Sequence, residues 1–181
     1  MRSDMSSRTL FVALLWILSI ASGAFSCSAE VSPDPTRVVA RADLILRVTA
    51  VEYFGVQPPP FERRLWNSNI RFSVEEVVKG TYATRDLILP GFLTDRDDWN
   101  DRPVPYRAPR PEARGGGCFA NGYRKGGHFL LLLKKWDGKL SYMIAGDSLD
   151  GYTVNWYVGP VNEQVRSAND PWVVWVRKQV R

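Results

Sequence analysis

Apolar and polar residues alternate at period two in several separate stretches of the chain, so strands are the first elements the sequence predicts. The longest stretch is residues 42–53, ADLILRVTAVEY, with Leu44, Leu46, Val48 and Ala50 on one face. Ile45 and Val51 share the other face with Arg47 and Thr49, so both faces are partly apolar. Gln57-Pro58-Pro59-Pro60 ends this strand. A second strand covers 66–79, where Ile70, Phe72 and Val74 alternate with Arg71, Ser73 and Glu75. Its alternation slips at Glu76-Val77-Val78, which predicts a β-bulge, and Lys79-Gly80 closes it. Residues 86–89 form a short third strand, stopped by Pro90-Gly91. A leucine run at 129–134 reads as a buried strand, and Asp137-Gly138 turns it back onto 140–145. Residues 151–158 alternate again.

Helical signals are fewer. Asn169-Asp170-Pro171 starts a C-terminal helix, with Trp172, Trp175, Val176 and Gln179 on one face, the tryptophans docking on the strands. A helical turn is expected at 161–166 after Pro160, and 28–40 reads as a polar lead-in. Residues 94–117 read as a long irregular surface loop, with Asp95, Asp97, Asp98 and Asp101 followed by prolines and arginines. The predicted fold is mainly β: a small Greek-key barrel with a long insertion and a C-terminal helix.

The N-terminus has a different pattern. Arg2 and Arg8 precede a nearly unbroken apolar run of twelve residues, 10–21, and small residues follow. This reads as a cleavable signal helix in 1–26, since a membrane span needs about 20 apolar residues. The remaining chain divides into a domain at 27–160 and a helical extension at 161–181 that packs on it. Export, to a periplasmic or extracellular site, makes the two cysteines, Cys27 and Cys118, a disulfide pair. A lipid anchor on Cys27 is the competing use of that residue, and the only route to a membrane.

Composition narrows the partners. Apolar residues make up 45% of the chain, enough for a core. Removal of Arg2, Asp4 and Arg8 with the leader takes the net charge from +5 to +4. That excess is mild and unclustered, unlike a nucleic-acid-binding face. It does favour anionic envelope surfaces, and Arg107, Arg110 and Arg114 in the loop are the candidate contacts for an acidic partner or polysaccharide. Trp66, Phe72, Tyr123 and Tyr142 are aromatics that a barrel face could offer a ligand.

No grouping points to catalysis or a metal. His128 is the one histidine, beside a strand start and without a nucleophile in the pattern. Cys27, Cys118 and His128 lack the paired short spacing of a zinc site. The run Asp95-Arg96-Asp97-Asp98-Trp99-Asn100-Asp101 fails the calcium-loop register, with Trp99 at a ligand place. The expectation is a non-enzymatic protein without cofactor.

The order of four motifs is more specific. Cys27 is followed by Ala42-Asp43-Leu44-Ile45-Leu46-Arg47-Val48, then by Phe72-Ser73-Val74-Glu75-Glu76-Val77-Val78-Lys79-Gly80. Cys118, Tyr123, Gly126 and Phe129-Leu130-Leu131 complete the series. This order resembles the OB-fold domain of the tissue inhibitors of metalloproteinases, the netrin-like domains and their bacterial relatives. The chain departs from that pattern at Ser28-Ala29, which lack a second cysteine, at Arg47 in place of a common glycine, and at Tyr157-Val158-Gly159-Pro160, where a last cysteine is expected. The resemblance implies an OB-like barrel that binds a protein partner. It also implies that Cys27, with Ser28 and Ala29, can address the zinc of a metalloproteinase if Cys27 is the free N-terminus.

Overall fold

The computed structural model describes residues 34–55, 68–114, 120–136, 139–142 and 160–181. Among the described residues the protein is mainly β, an antiparallel sheet with three helices. The leader, Cys27, Cys118, the turn at 137–138 and the strand expected at 151–158 lie outside the described residues.

Helix α1 (Pro35–Arg41) opens the described chain where a polar lead-in was expected. Asp34 caps it, its Oδ1 accepting from Thr36 N at 3.0 Å, and Pro35 supplies a pre-set φ at the first turn. Two lysines from the sheet close its other end. Lys79 Nζ donates to the Val39 and Ala40 carbonyls at 3.0 and 2.7 Å, and Lys134 Nζ donates to the Arg41 carbonyl at 2.9 Å. Cations at these orphan carbonyls also suit the negative end of the helix dipole.

Strands β1 (Leu44–Phe54), β2 (Asn69–Lys79) and β3 (Asp86–Pro90) follow the predicted alternation. β1 pairs antiparallel with β2 through three register shifts, which leave Val78 and Glu75 of β2 and Val51 of β1 without a partner. The slip in the sequence near Val78 is therefore a real bulge, and each bulge adds bend and twist. β4 (Phe92–Thr94) and β5 (Gly122–Arg124) form a separate parallel pair. β6 (His128–Trp136) lies along β1, and β7 (Lys139–Tyr142) pairs back onto its C-terminal half.

β8 (Asn162–Val165) corrects the expected helical turn: it pairs antiparallel with the N-terminal half of β6. All four of its residues are buried, so it has no wet face to produce an alternation. The sheet runs β3-β2-β1-β6-β7, with β8 also on β6. It is open among the described residues, where the sequence predicted a closed barrel.

β1 and β6 are buried on both faces, as Leu44 to Leu46 and Phe129 to Leu133 show. Val38 and Val39 of α1 belong to the same apolar cluster as Trp172, Val173 and Val176 of α3 (Pro171–Gln179). A second short helix, α2 (Pro111–Arg114), lies in the segment read as loop. The inward face of α3 includes Val173, while Gln179 is exposed, so the tryptophan stripe is docked but turned from the expected register.

Gly80 closes β2 at φ +82°, and a Cβ there would stand 2.5 Å from the Asp43 carbonyl oxygen. Gly80→Ala is therefore expected to cost about 1–3 kcal/mol, read as a lower urea midpoint at unchanged slope.

Candidate functional site

The segment after β4 was expected to be a solvated loop. It is instead strapped to the sheet by a buried polar network. Its centre is Arg110, only 1% exposed. Its Nη1 donates to Asp98 Oδ2 at 2.9 Å and lies 3.4 Å from Glu112 Oε2. Nε donates to the Asn162 carbonyl at 2.9 Å, and Nη2 to the carbonyls of Ala120 and Gly122 at 3.2 and 2.7 Å. The guanidinium also lies over the rings of Tyr123 and Phe129, 5.2 and 5.4 Å from their centroids. Arginine suits this place because its fixed fork of five donors can meet five acceptors while the charge is balanced by two carboxylates.

β8 supplies the other half of the grip. Glu163 is fully buried; its Oε1 accepts from Arg110 N at 3.0 Å and its Oε2 from Asn100 Nδ2 at 2.8 Å. Burial pushes its carboxyl up to about 7, with the Asn100 hydrogen bond and the Arg110 charge pulling the other way and Asp98 adding to the rise. Gln164 Oε1 accepts from Asp98 N, and its Nε2 donates to Asp97 Oδ1, both at 2.6 Å. Asn162 Nδ2 donates to Tyr123 Oη at 2.9 Å and to the Ala120 carbonyl. Glu112 accepts from Gly122 N, and a Cβ on Gly122 would stand 2.7 Å from that carboxylate.

The strap is also wedged by packing. Tyr106 is buried and stacks on Trp172 at 4.9 Å between centroids, and burial pushes its hydroxyl up to about 12. Among the described residues the outer side of the strap keeps Trp99, Arg102 and Arg107 in solvent. Trp99 is 38% exposed, with the Arg166 guanidinium 4.5 Å from its ring centroid.

The three arginines proposed as partner contacts thus separate. Arg107 is exposed and has no ion pair among the described residues. Arg114 is tied inward, to the Pro109 carbonyl at 2.7 Å, Asp101 at 2.6 Å and Asn100 at 2.8 Å. Arg110 is inside, not on the surface: its five donors are taken by the fold, so a ligand cannot reach them. The acidic run is used the same way, Asp97 pairing with Arg124, Asp98 with Arg110 and Asp101 with Arg114. Cys27, Ser28, Ala29, Cys118 and Trp66 lie outside the described residues. Phe72 and Tyr123 are fully buried and meet edge-to-face at 5.0 Å, so they belong to the core and not to a ligand-binding face.

A second cluster sits on the sheet where the Glu75 bulge meets β1 and β6. Glu75 binds Arg47 and Thr49, and its Oε1 lies 2.7 Å from His128 Nδ1. Thr49 Oγ1 lies 3.0 Å from that same Nδ1. A nucleophile–base–acid relay needs its two partners on opposite ring nitrogens, so this arrangement does not activate Thr49. Beside it, Arg177 holds Glu76 at 2.9 and 2.5 Å and ties α3 to β2. These hydrogen bonds are the main reason the Glu76 carboxyl lies below its ordinary range.

No protein-family model matches this sequence, and no curated protein is significantly similar to it.

Proposed function

We propose that this chain is an exported, non-catalytic interaction module that presents the Asp95–Arg107 side of its strap to a protein partner. The observation that carries this reading is the burial of Arg110: a side chain committed to five acceptors beneath the segment holds Trp99, Arg102 and Arg107 out in one conformation. Pre-ordered loops on a rigid sheet lose little entropy on binding, which is how recognition surfaces gain affinity. An exposed Trp beside arginines is also the composition of an interface centre. Only Arg107 of the three expected arginines stays outside and unpaired among the described residues, which favours a protein over an anionic polysaccharide.

The resemblance to the netrin-like and metalloproteinase-inhibitor domains implies an OB-like barrel, and the mainly antiparallel sheet is compatible with that expectation. The sheet runs β3-β2-β1-β6-β7 with β8 also on β6, and each of these pairs is antiparallel. The bulges that bend β1 and β2 suit closure. Zinc metalloproteinases, the partners that the resemblance implies, are the first to try.

The test is affinity capture from an exported protein fraction, with the native chain and with a Trp99→Ala/Arg102→Ala/Arg107→Ala variant. Surface truncations of this kind change stability by about 0.5 kcal/mol each or less. A partner held by the native chain and lost by the variant, at unchanged melting temperature, is the expected result. Equal capture by both removes the strap from recognition.

A further inference from the structure

We propose that the end of the molecule carrying α1 is a membrane-facing surface, whose exposed cations lie against anionic phospholipid headgroups. It is a different face from the strap, and its test needs no protein partner.

The register gathers cations that are scattered in the sequence. Ile45 at the start of β1 pairs with Lys79 at the end of β2, and Leu44 pairs with Leu133 of β6. The Lys135–Leu140 and Trp136–Lys139 pairs bring Lys139 to the same end of the sheet. α1 lies there too, fastened through its last carbonyls by Lys79 and Lys134. Arg37 and Arg41 stand four residues apart on α1 and so share one face. α3 packs beside α1. Its Arg177 is held by Glu76, just before Lys79 in β2, which puts the last turn of α3 at this end as well. Lys178 in that turn is exposed, as are Arg37, Lys135 and Lys139.

The acids of this end are engaged within the fold. Asp34 caps α1, and Asp43 accepts from Lys135 N at 2.8 Å and from Lys134 Nζ at 3.2 Å. These bonds, the Lys135 one foremost, hold the Asp43 carboxyl below its ordinary range. Burial lowers Lys79 in turn; Asp43 opposes that and the Lys134 charge adds to it, as happens where cations crowd. Neither α1 nor α3 contains an acidic residue. The cationic excess, unclustered in the sequence, is therefore concentrated by the fold.

A lipid plane is the occupant that fits. The exposed cations come from two helices and a hairpin, a spread that matches a sheet of charge better than one small anion. The chain also enters the fold here, since α1 is only about 10 Å long and Asp34 caps it. Cys27 and the apolar run 10–21 precede that cap. The seven residues from Cys27 to Asp34 reach at most about 25 Å. A lipid on Cys27 or a retained leader thus holds this end at the membrane, where juxtamembrane cations add to binding.

Vesicle co-sedimentation of the full chain tests this, with phosphatidylglycerol–phosphatidylcholine and pure phosphatidylcholine vesicles side by side. The neutral vesicles read any contribution of the leader or of a lipid on Cys27. The native chain should bind the anionic vesicles about tenfold more tightly or better, and that excess should vanish at about 1 M salt. An Arg37→Gln/Lys135→Gln/Lys139→Gln/Lys178→Gln variant should lose about tenfold or more of anionic binding. A control with the same charge change on other faces, Arg96→Gln/Arg102→Gln/Arg107→Gln/Lys125→Gln, should lose less than about threefold. Equal binding to both vesicle types, full binding by the first variant, or equal losses in the two variants overturns the assignment. Retention on dextran sulfate without binding to anionic vesicles gives the face to a polysaccharide and overturns it too. If the first variant does not fold, the headgroup and salt dependence of the native chain and of the control decide.

Discussion

Arg110→Ala is expected to lower stability by about 3–5 kcal/mol, the effect of removing one partner from a buried charge network. Three terms act together. Asp98 and Glu112 lose their shared cation while half-buried, three carbonyls lose a charged donor, and the space under Tyr123 and Phe129 is left empty. Against a total of about 5–15 kcal/mol for a domain, this brings the protein close to unfolding at physiological temperature. Arg110→Lys should recover less than half of the loss, because one ammonium has three donors and no planar fork. Arg107→Ala, three residues away, should change stability by no more than about 0.5 kcal/mol. Urea midpoints of the three variants read this contrast directly. Similar values for Arg110→Ala and Arg107→Ala would mean that the network contributes no more than an exposed side chain.

Trp172→Ala has an expected cost of about 3–5 kcal/mol as well, by a different route. Trp172 is fully buried, stacked between Tyr106 of the strap and Trp175 of its own helix at 4.9 and 5.1 Å. Its loss opens a large cavity where α3 and the strap meet. Among the described residues the buried indole Nε1 has no hydrogen-bond partner, which leaves the native residue bearing a desolvation cost. Trp172→Phe removes that orphan donor along with some ring volume, and its cost should stay under about 1.5 kcal/mol. Thermal unfolding of the two variants, with near-UV dichroism for Tyr106 packing, tests the asymmetry. Equal losses in Phe and Ala would show that the N–H has a partner after all.

The long strands were legible in the sequence because apolar and polar residues alternate along much of 42–53 and 66–79. Shorter and fully buried elements were not legible for physical reasons. β8 buries Asn162, Glu163, Gln164 and Val165 together, and a strand without a wet face has no period two. Polar residues in such a run read as a surface turn unless their partners are known. Those partners, Asn100 and Arg110, are more than fifty residues away in a segment rich in proline and charge. Arg110 in particular sits among exposed arginines in sequence, and nothing local marks it as the buried one. α1 was missed differently. Asp34-Pro35 is the same cap-and-proline signal as Asp170-Pro171, which was recognised, but seven residues are too few to show a helical stripe. β4 and β5 span three residues each, too short to alternate at all.

Partner recognition and the cost of losing Arg110 both depend on one claim, that the strap from Asp95 to Glu112 is held as rigidly as the sheet beneath it. Backbone nitrogen relaxation measures this residue by residue. Order parameters along the strap should match those of β1 and β6, about 0.85. Values below about 0.6 across Asp98 to Arg110 would contradict the account, since a buried arginine with five acceptors cannot coexist with a freely moving loop.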